Sequence, residues 1–250
     1  MENKKNQMPQ LLIVDQPDGD LRNGINLGYY PELLTPIQNG SLLVISQKVS
    51  KRYNLVTPPV GNGMDFYVSN PSSQNYLSIW DTEILRILIS DKSYVVKETL
   101  VWMGAKDIVL IQNAVDTDNT NVNIRNQADL KLANVDMKVD YSSSTSINLK
   151  SSIESHDPNR MPKSAEKVAE FMINHGLGND ASLKMLLNRL KEDGELHGTE
   201  IYDITYLSEI QNALNVAANI NYKLFNDNLD FSKKHNHIKT ISRTIKINFD

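Results

Sequence analysis

The stretch that decides the fold covers residues 122–153 and reads VNIRNQADLKLANVDMKVDYSSSTSINLKSSI. Its apolar residues occupy even positions as far as Leu132 and odd positions from Ala133 onward, with polar residues between them. A period of two is typical of β-strands that have one dry and one wet face. The change of phase predicts a β-bulge, and the Ser/Thr-rich residues 142–146 predict a turn. We therefore expect a long antiparallel hairpin over about 122–154.

Helical periodicity is found on both sides of this hairpin. Asp81 can cap the first turn of a helix, and Gly104 suits a left-handed C-terminal residue, so a helix is predicted around 81–103. Two apolar stripes, which are separated by glycines, predict a helix pair around 164–193. Because each of these helices has one apolar face, we expect the pair to pack on the sheet.

Three further stretches of alternation occupy the C-terminal part, around 202–206, 214–224 and 241–249. They predict strands, and the last of them is expected to lie centrally in the sheet. Residues 207–218 also fit helical spacing, so helix and strand remain open there. Near the N-terminus, Leu11–Val14 and Ser41–Ser46 are predicted strands, whereas the glycine-rich segment 15–28 is predicted to hold no regular element.

Together these patterns predict an α+β fold with long antiparallel strands and hairpins. A length of 250 residues fits one large domain or two small ones. We expect a flexible tail over 1–10 and a single domain over 11–250. The alternative divides the chain near residue 78, into a loop-rich β segment over 11–78 and a hairpin and helix-pair core over 79–250.

Composition excludes several classes of protein. The chain has no cysteine, which excludes disulfides, thiolate zinc sites, iron–sulfur clusters and a cysteine nucleophile. Its net charge is −4 and its basic residues form no cluster, so nucleic acid is not an expected partner. No apolar run reaches the length of a signal-peptide core or a membrane helix, and this predicts a cytoplasmic protein. No motif for a cofactor is present, and none is expected.

A few polar residues are weak candidates for chemistry. His197 lies near Glu195 and Glu200 in the sequence, a grouping that could perform acid/base catalysis, although no nucleophile motif accompanies it. His235 and His237 would point to one side of a strand and could bind zinc or copper with a third ligand. Two lysines immediately before this pair disfavour a cation, so no metal is expected.

The predicted hairpin carries the sharpest functional idea. Its apolar face would bind a protein partner or, in a pore-forming protein, the lipid of a bilayer. This face consists of Val135, Met137, Val139, Tyr141, Ile147, Leu149 and Ile153. The leading hypothesis is a non-enzymatic module that recognises a protein partner or oligomerises through its sheet edges, an oligomerising component of a bacterial system. The alternatives are a membrane-inserting effector that uses the hairpin, and an enzyme whose active site follows no known motif.

Overall fold

A computed structural model describes most of the chain, and the α+β class is confirmed by helices and antiparallel-rich sheets in it. The residues that it describes are 8–15, 20–59, 64–79, 81, 84–117, 121–124, 153–205 and 238–250. They fall into two compact units, the first with the described residues up to Ile87 and the second with those from Leu88 onward.

The first unit is built on a four-stranded sheet with the order β2-β1-β3-β4. Its strands are β1 (Leu11–Asp15), β2 (Leu42–Ser46), β3 (Asp65–Asn70) and β4 (Asn75–Ser78). Its helices are α1 (Asp20–Asn26), α2 (Leu34–Gln38), which follows a 3-10 turn at Pro31–Leu33, and α3 (Gln47–Ser50). The pair β1 and β2 is parallel, whereas the other pairs are antiparallel. The sequence did not predict this parallel pair. Parallel neighbours must be joined by a crossover, which is usually helical, and no helix was predicted in the segment 15–28 that follows β1.

The core of the first unit surrounds β1, in which every residue is at most 2% exposed. Phe66 and Tyr67 of β3 and Tyr76 of β4 are buried beside it. Burial, and then the neighbouring Tyr53, raises the pKa of the Tyr76 hydroxyl to about 12. Burial, and then the charge of Asp65, also raises the pKa of Tyr67. Both phenols are therefore neutral over the whole physiological range.

The prediction that 15–28 holds no regular element is wrong, because α1 lies within it. The buried Asp15 carboxylate accepts a hydrogen bond of 3.0 Å from the Arg22 backbone N–H, and so satisfies a donor that the start of a helix leaves unpaired. Gly24 is tolerated inside the helix because the Tyr30 ring occupies the space of a side chain, with a ring carbon 2.4 Å from an ideal Cβ. Tertiary packing here outweighs the low helix propensity of glycine.

The second unit combines helices with an antiparallel sheet of the order β6-β5-β9-β8, in which a short strand, β7, pairs with the start of β5. Its strands are β5 (Asp107–Thr117), β6 (Asn121–Ile124), β7 (Ser155–His156), β8 (Thr199–Thr205) and β9 (Ile238–Asn248). Its helices are α4 (Ile84–Trp102), which begins in the first unit, α5 (Ala165–Asn174) and α6 (Ala181–Asp193). The predicted helix around 81–103 and the predicted helix pair are confirmed.

The helix pair contacts the sheet through polar side chains of α6. Asp180 caps this helix by accepting a hydrogen bond from the Leu183 N–H, and its second oxygen accepts one from the Tyr202 hydroxyl of β8. Arg189 forms an ion pair with Glu200 of the same strand. The expectation that the pair packs on the sheet is thus confirmed for α6.

The last strand lies at the centre of its sheet, as predicted, because β9 pairs with β5 on one side and with β8 on the other. The start of the predicted hairpin, β6, pairs with the preceding strand β5. Residues 125–152 of that hairpin, with its turn at 142–146, and the segment 207–224 lie outside the described residues. At Ile153 the predicted strand is wrong, because the backbone of this residue is helical.

Gly104 ends α4 with a left-handed backbone, at a φ of +95°. An ideal Cβ on this residue would lie 3.3 Å from the backbone nitrogen of Pro162, which cannot easily move. Gly40 has a φ of +78° with nothing within 4 Å of an ideal Cβ, and it therefore serves as a matched control.

Gly104→Ala is expected to lower the free energy of unfolding by about 2 kcal/mol, since strain of the left-handed backbone adds to crowding against Pro162. Gly40→Ala carries only the backbone strain and should cost about 1 kcal/mol. Urea denaturation followed by circular dichroism measures both values. Equal losses for the two variants would show that the contact with Pro162 contributes nothing.

Candidate functional site

The first candidate group is centred on His197, at the turn before β8. Its Nε2 lies 3.2 Å from Oε1 of Glu195, and its Nδ1 lies 3.4 Å from Oδ1 of Asp250. The structure therefore brings two of the three predicted residues together, whereas Glu200 pairs with Arg189. Asp250 was missed, because it follows β9 and nothing local in the sequence relates it to His197.

The side chains of His197, Glu195 and Asp250 are between 60% and 67% exposed. Water screens charges that are this open, so even fully charged contacts of this kind contribute only about 0–1 kcal/mol each. The second oxygen of Asp250 accepts a hydrogen bond from the Gly198 backbone N–H at 3.0 Å. The group thus links the C-terminal end of the chain after β9 to the start of β8.

The metal candidates receive no support from the residues that the structure describes. Among these, no group of three or more His, Asp or Glu side chains could hold a metal ion. His235 and His237 themselves lie outside the described residues. Of the hairpin residues predicted to face a partner or a bilayer, only Ile153 is described, and it is completely buried.

A buried polar pair lies between the sheet of the second unit and α4. Arg243 of β9 is 4% exposed, and its guanidinium donates a hydrogen bond of 2.7 Å to the hydroxyl of Ser93, which is also buried. That hydroxyl in turn donates to the backbone carbonyl of Ile89, at 2.7 Å. A charge at this depth must be well hydrogen-bonded to be tolerated. We interpret the pair as a support for the inner face of the sheet.

The opposite face of the same sheet carries apolar side chains in contact with solvent. Val109 of β5 pairs with Lys246 of β9, which pairs in turn with Ile201 of β8. Val109 is 40% exposed, Ile201 is 68% exposed, and Ile111, two residues after Val109 on the same strand, is 47% exposed. We call Val109, Ile111, Lys246 and Ile201 the outer strip.

A β-bulge places Ile111 in this strip. The register of β5 with β9 passes from Leu110 opposite Ile245 to Gln112 opposite Thr244, so that Ile111 has no partner of its own. Bulges redirect side chains and are frequent next to functional sites. The sequence gives no local signal for the bulge, because the continuous apolar run at 108–111 resembles a strand that is buried on both faces.

Charged residues lie on both sides of the outer strip. On one side, Asp107 is 3.5 Å from the imidazole of His156. On the other, Asp203 accepts a hydrogen bond from the hydroxyl of its cross-strand neighbour Thr244. Lys246, in the middle of the strip, is exposed and forms no ion pair with any other residue that the structure describes.

Comparison with known proteins identifies no relative: no protein-family model, curated protein or solved structure matches the chain. In the parts of the chain that the structure describes, no helix has both the length and the apolar character needed to cross a membrane.

Proposed function

We propose that the chain is a non-enzymatic protein-binding or assembly module that docks through the outer strip. The observation that supports this is a row of exposed side chains across three neighbouring strands, in which Val109 and Ile111 of β5 and Ile201 of β8 flank Lys246 of β9. A single exposed isoleucine is ordinary, because much of any protein surface is apolar. Several exposed β-branched side chains on one sheet face, with charged residues among and beside them, are more unusual, and apolar surface with polar neighbours is typical of interaction surfaces.

The composition of the strip defines the chemistry of its partner. β-branched side chains on a sheet form a firm surface that loses little conformational entropy on binding. Removing these apolar side chains from water is favourable when they contact other apolar groups, so the other protein is expected to present an apolar row. The Lys246 ammonium would be buried in the contact, so the partner must present a carboxylate opposite it. The expected partner is therefore a protein surface that combines an apolar row with an acidic residue.

Photo-cross-linking in the cells that express the full chain tests this proposal. A benzophenone amino acid at position 109 should give adducts of one defined mass, and Ile201→Glu should reduce their yield at least about tenfold, the equivalent of about 1.4 kcal/mol of binding. The matched control is Ile173→Glu on α5, since Ile173 is 66% exposed and lies outside the strip. The proposal would be contradicted if both variants reduced the yield of adducts equally, or if neither variant reduced it.

A further inference from the structure

We propose that the partner is a second copy of this chain, and that two outer strips pack face to face around a two-fold axis with Lys246 of each copy opposite Asp203 of the other. This inference rests on the proposed function, because it names the protein that covers the strip. A two-fold interface requires a surface that is complementary to itself. The outer face of the sheet meets this requirement, since it carries its apolar residues, its cation and its acid side by side.

The register places the two charges at a suitable separation. Lys246 lies two residues after Thr244 on β9, and Thr244 is the cross-strand partner of Asp203 on β8. Lys246 and Asp203 are therefore diagonal neighbours on one face, a relation that corresponds to roughly 7–8 Å. A two-fold axis between them brings each ammonium over the other copy's carboxylate. Packed sheets are about 10 Å apart, a gap that the long lysine side chain can span.

Asp203 is a better partner for Lys246 than Asp107, the acid on the other side of the strip. The Asp107 carboxylate faces the His156 imidazole of its own chain. Asp203 is exposed and engages a neutral threonine hydroxyl through one oxygen, which leaves its charge without a cation among the described residues. The same two-fold axis brings the Ile201 side chains of the two copies, each beside Lys246 on its own sheet, against each other.

Charge reversal tests both the partner and the register. In purified full-length protein, sedimentation equilibrium should show a concentration-dependent dimer. Lys246→Asp places two acids opposite each other at both contacts, and Asp203→Lys places two lysines there. Each variant should therefore weaken self-association at least about tenfold. Lys167→Asp on α5 is the matched control, because Lys167 is exposed and lies outside the strip, and it should leave the dimer unchanged.

The mixture of the two variants gives the decisive result. In a heterodimer of Lys246→Asp with Asp203→Lys, both contacts again join an acid to a lysine, so mixing should restore the affinity of the unaltered chain. A misfolded variant could not be rescued in this way. A dimer that neither variant weakens, or one that mixing does not restore, would overturn the inference.

The experiments distinguish a failure of the proposed function from a failure of the inference that the partner is a second copy. If the purified protein is a monomer at every concentration while position 109 still yields an adduct with a different protein, the second copy is refuted and the docking surface stands. If no strip-dependent adduct forms with any protein and no dimer forms, both proposals are refuted.

Discussion

Phe66→Ala is expected to lower the free energy of unfolding by about 3–5 kcal/mol. The Phe66 side chain is completely buried, and its cross-strand neighbour is Ile13 in the middle of β1, which is also completely buried. Truncation removes the transfer free energy of a large aromatic group and leaves a cavity that two sheet strands cannot close by a small shift. Urea denaturation followed by far-ultraviolet circular dichroism measures the loss.

Tyr29→Ala is the matched control for this truncation. Tyr29 is also aromatic and belongs to the same unit, but it is 70% exposed, so its removal should change stability by less than about 0.5 kcal/mol. A Phe66→Ala protein as stable as the Tyr29→Ala protein would show that the core around β1 is not close-packed. The comparison separates the burial of an aromatic ring from the mere presence of one.

Local periodicity explains why most elements could be predicted. The stripe of α6 and the alternation of Tyr202 and Ile204 are repeated patterns over several residues, and each requires one buried face. The left-handed Gly104 was likewise marked by its position after an apolar helical run. The helix α1 was missed because its evidence is not local: the carboxylate of Asp15 and the ring of Tyr30 stabilise it from outside the helix.

The candidate sites depend on the pairing of strands that are far apart in the sequence. Periodicity within one segment carries no information about which other segment it pairs with. His197 and Glu195 could be associated because they are two residues apart, but Asp250 reaches them only through the pairing of β8 with β9. The outer strip required the register of three strands that are distant in sequence. The sequence therefore led to the hypothesis of an interaction module with its candidate residues on the predicted hairpin, and the outer strip could be proposed as a docking surface only from the paired strands.

Arg243→Ala is the second substitution with a large expected effect, a loss of about 3–4 kcal/mol in the free energy of unfolding. The side chain is buried between β9 and α4, and its removal leaves a cavity beside Ser93. Arg243→Met retains most of the volume and takes no charge out of water, so it should cost much less. Because both variants lack the charge, the difference between their free energies of unfolding measures the contribution of packing at this position.

The hydrogen bond itself is measured by a double-mutant cycle. Ser93→Ala removes an acceptor from a buried guanidinium, and a charged group that loses such a bond costs about 1.5–3 kcal/mol. In the Arg243→Met protein no cation needs that acceptor, and Ser93→Ala should then cost less than about 0.5 kcal/mol. Thermal and urea unfolding of the four proteins give the coupling energy. A coupling energy near zero would mean that Ser93 contributes nothing to holding the charge of Arg243 beneath the sheet.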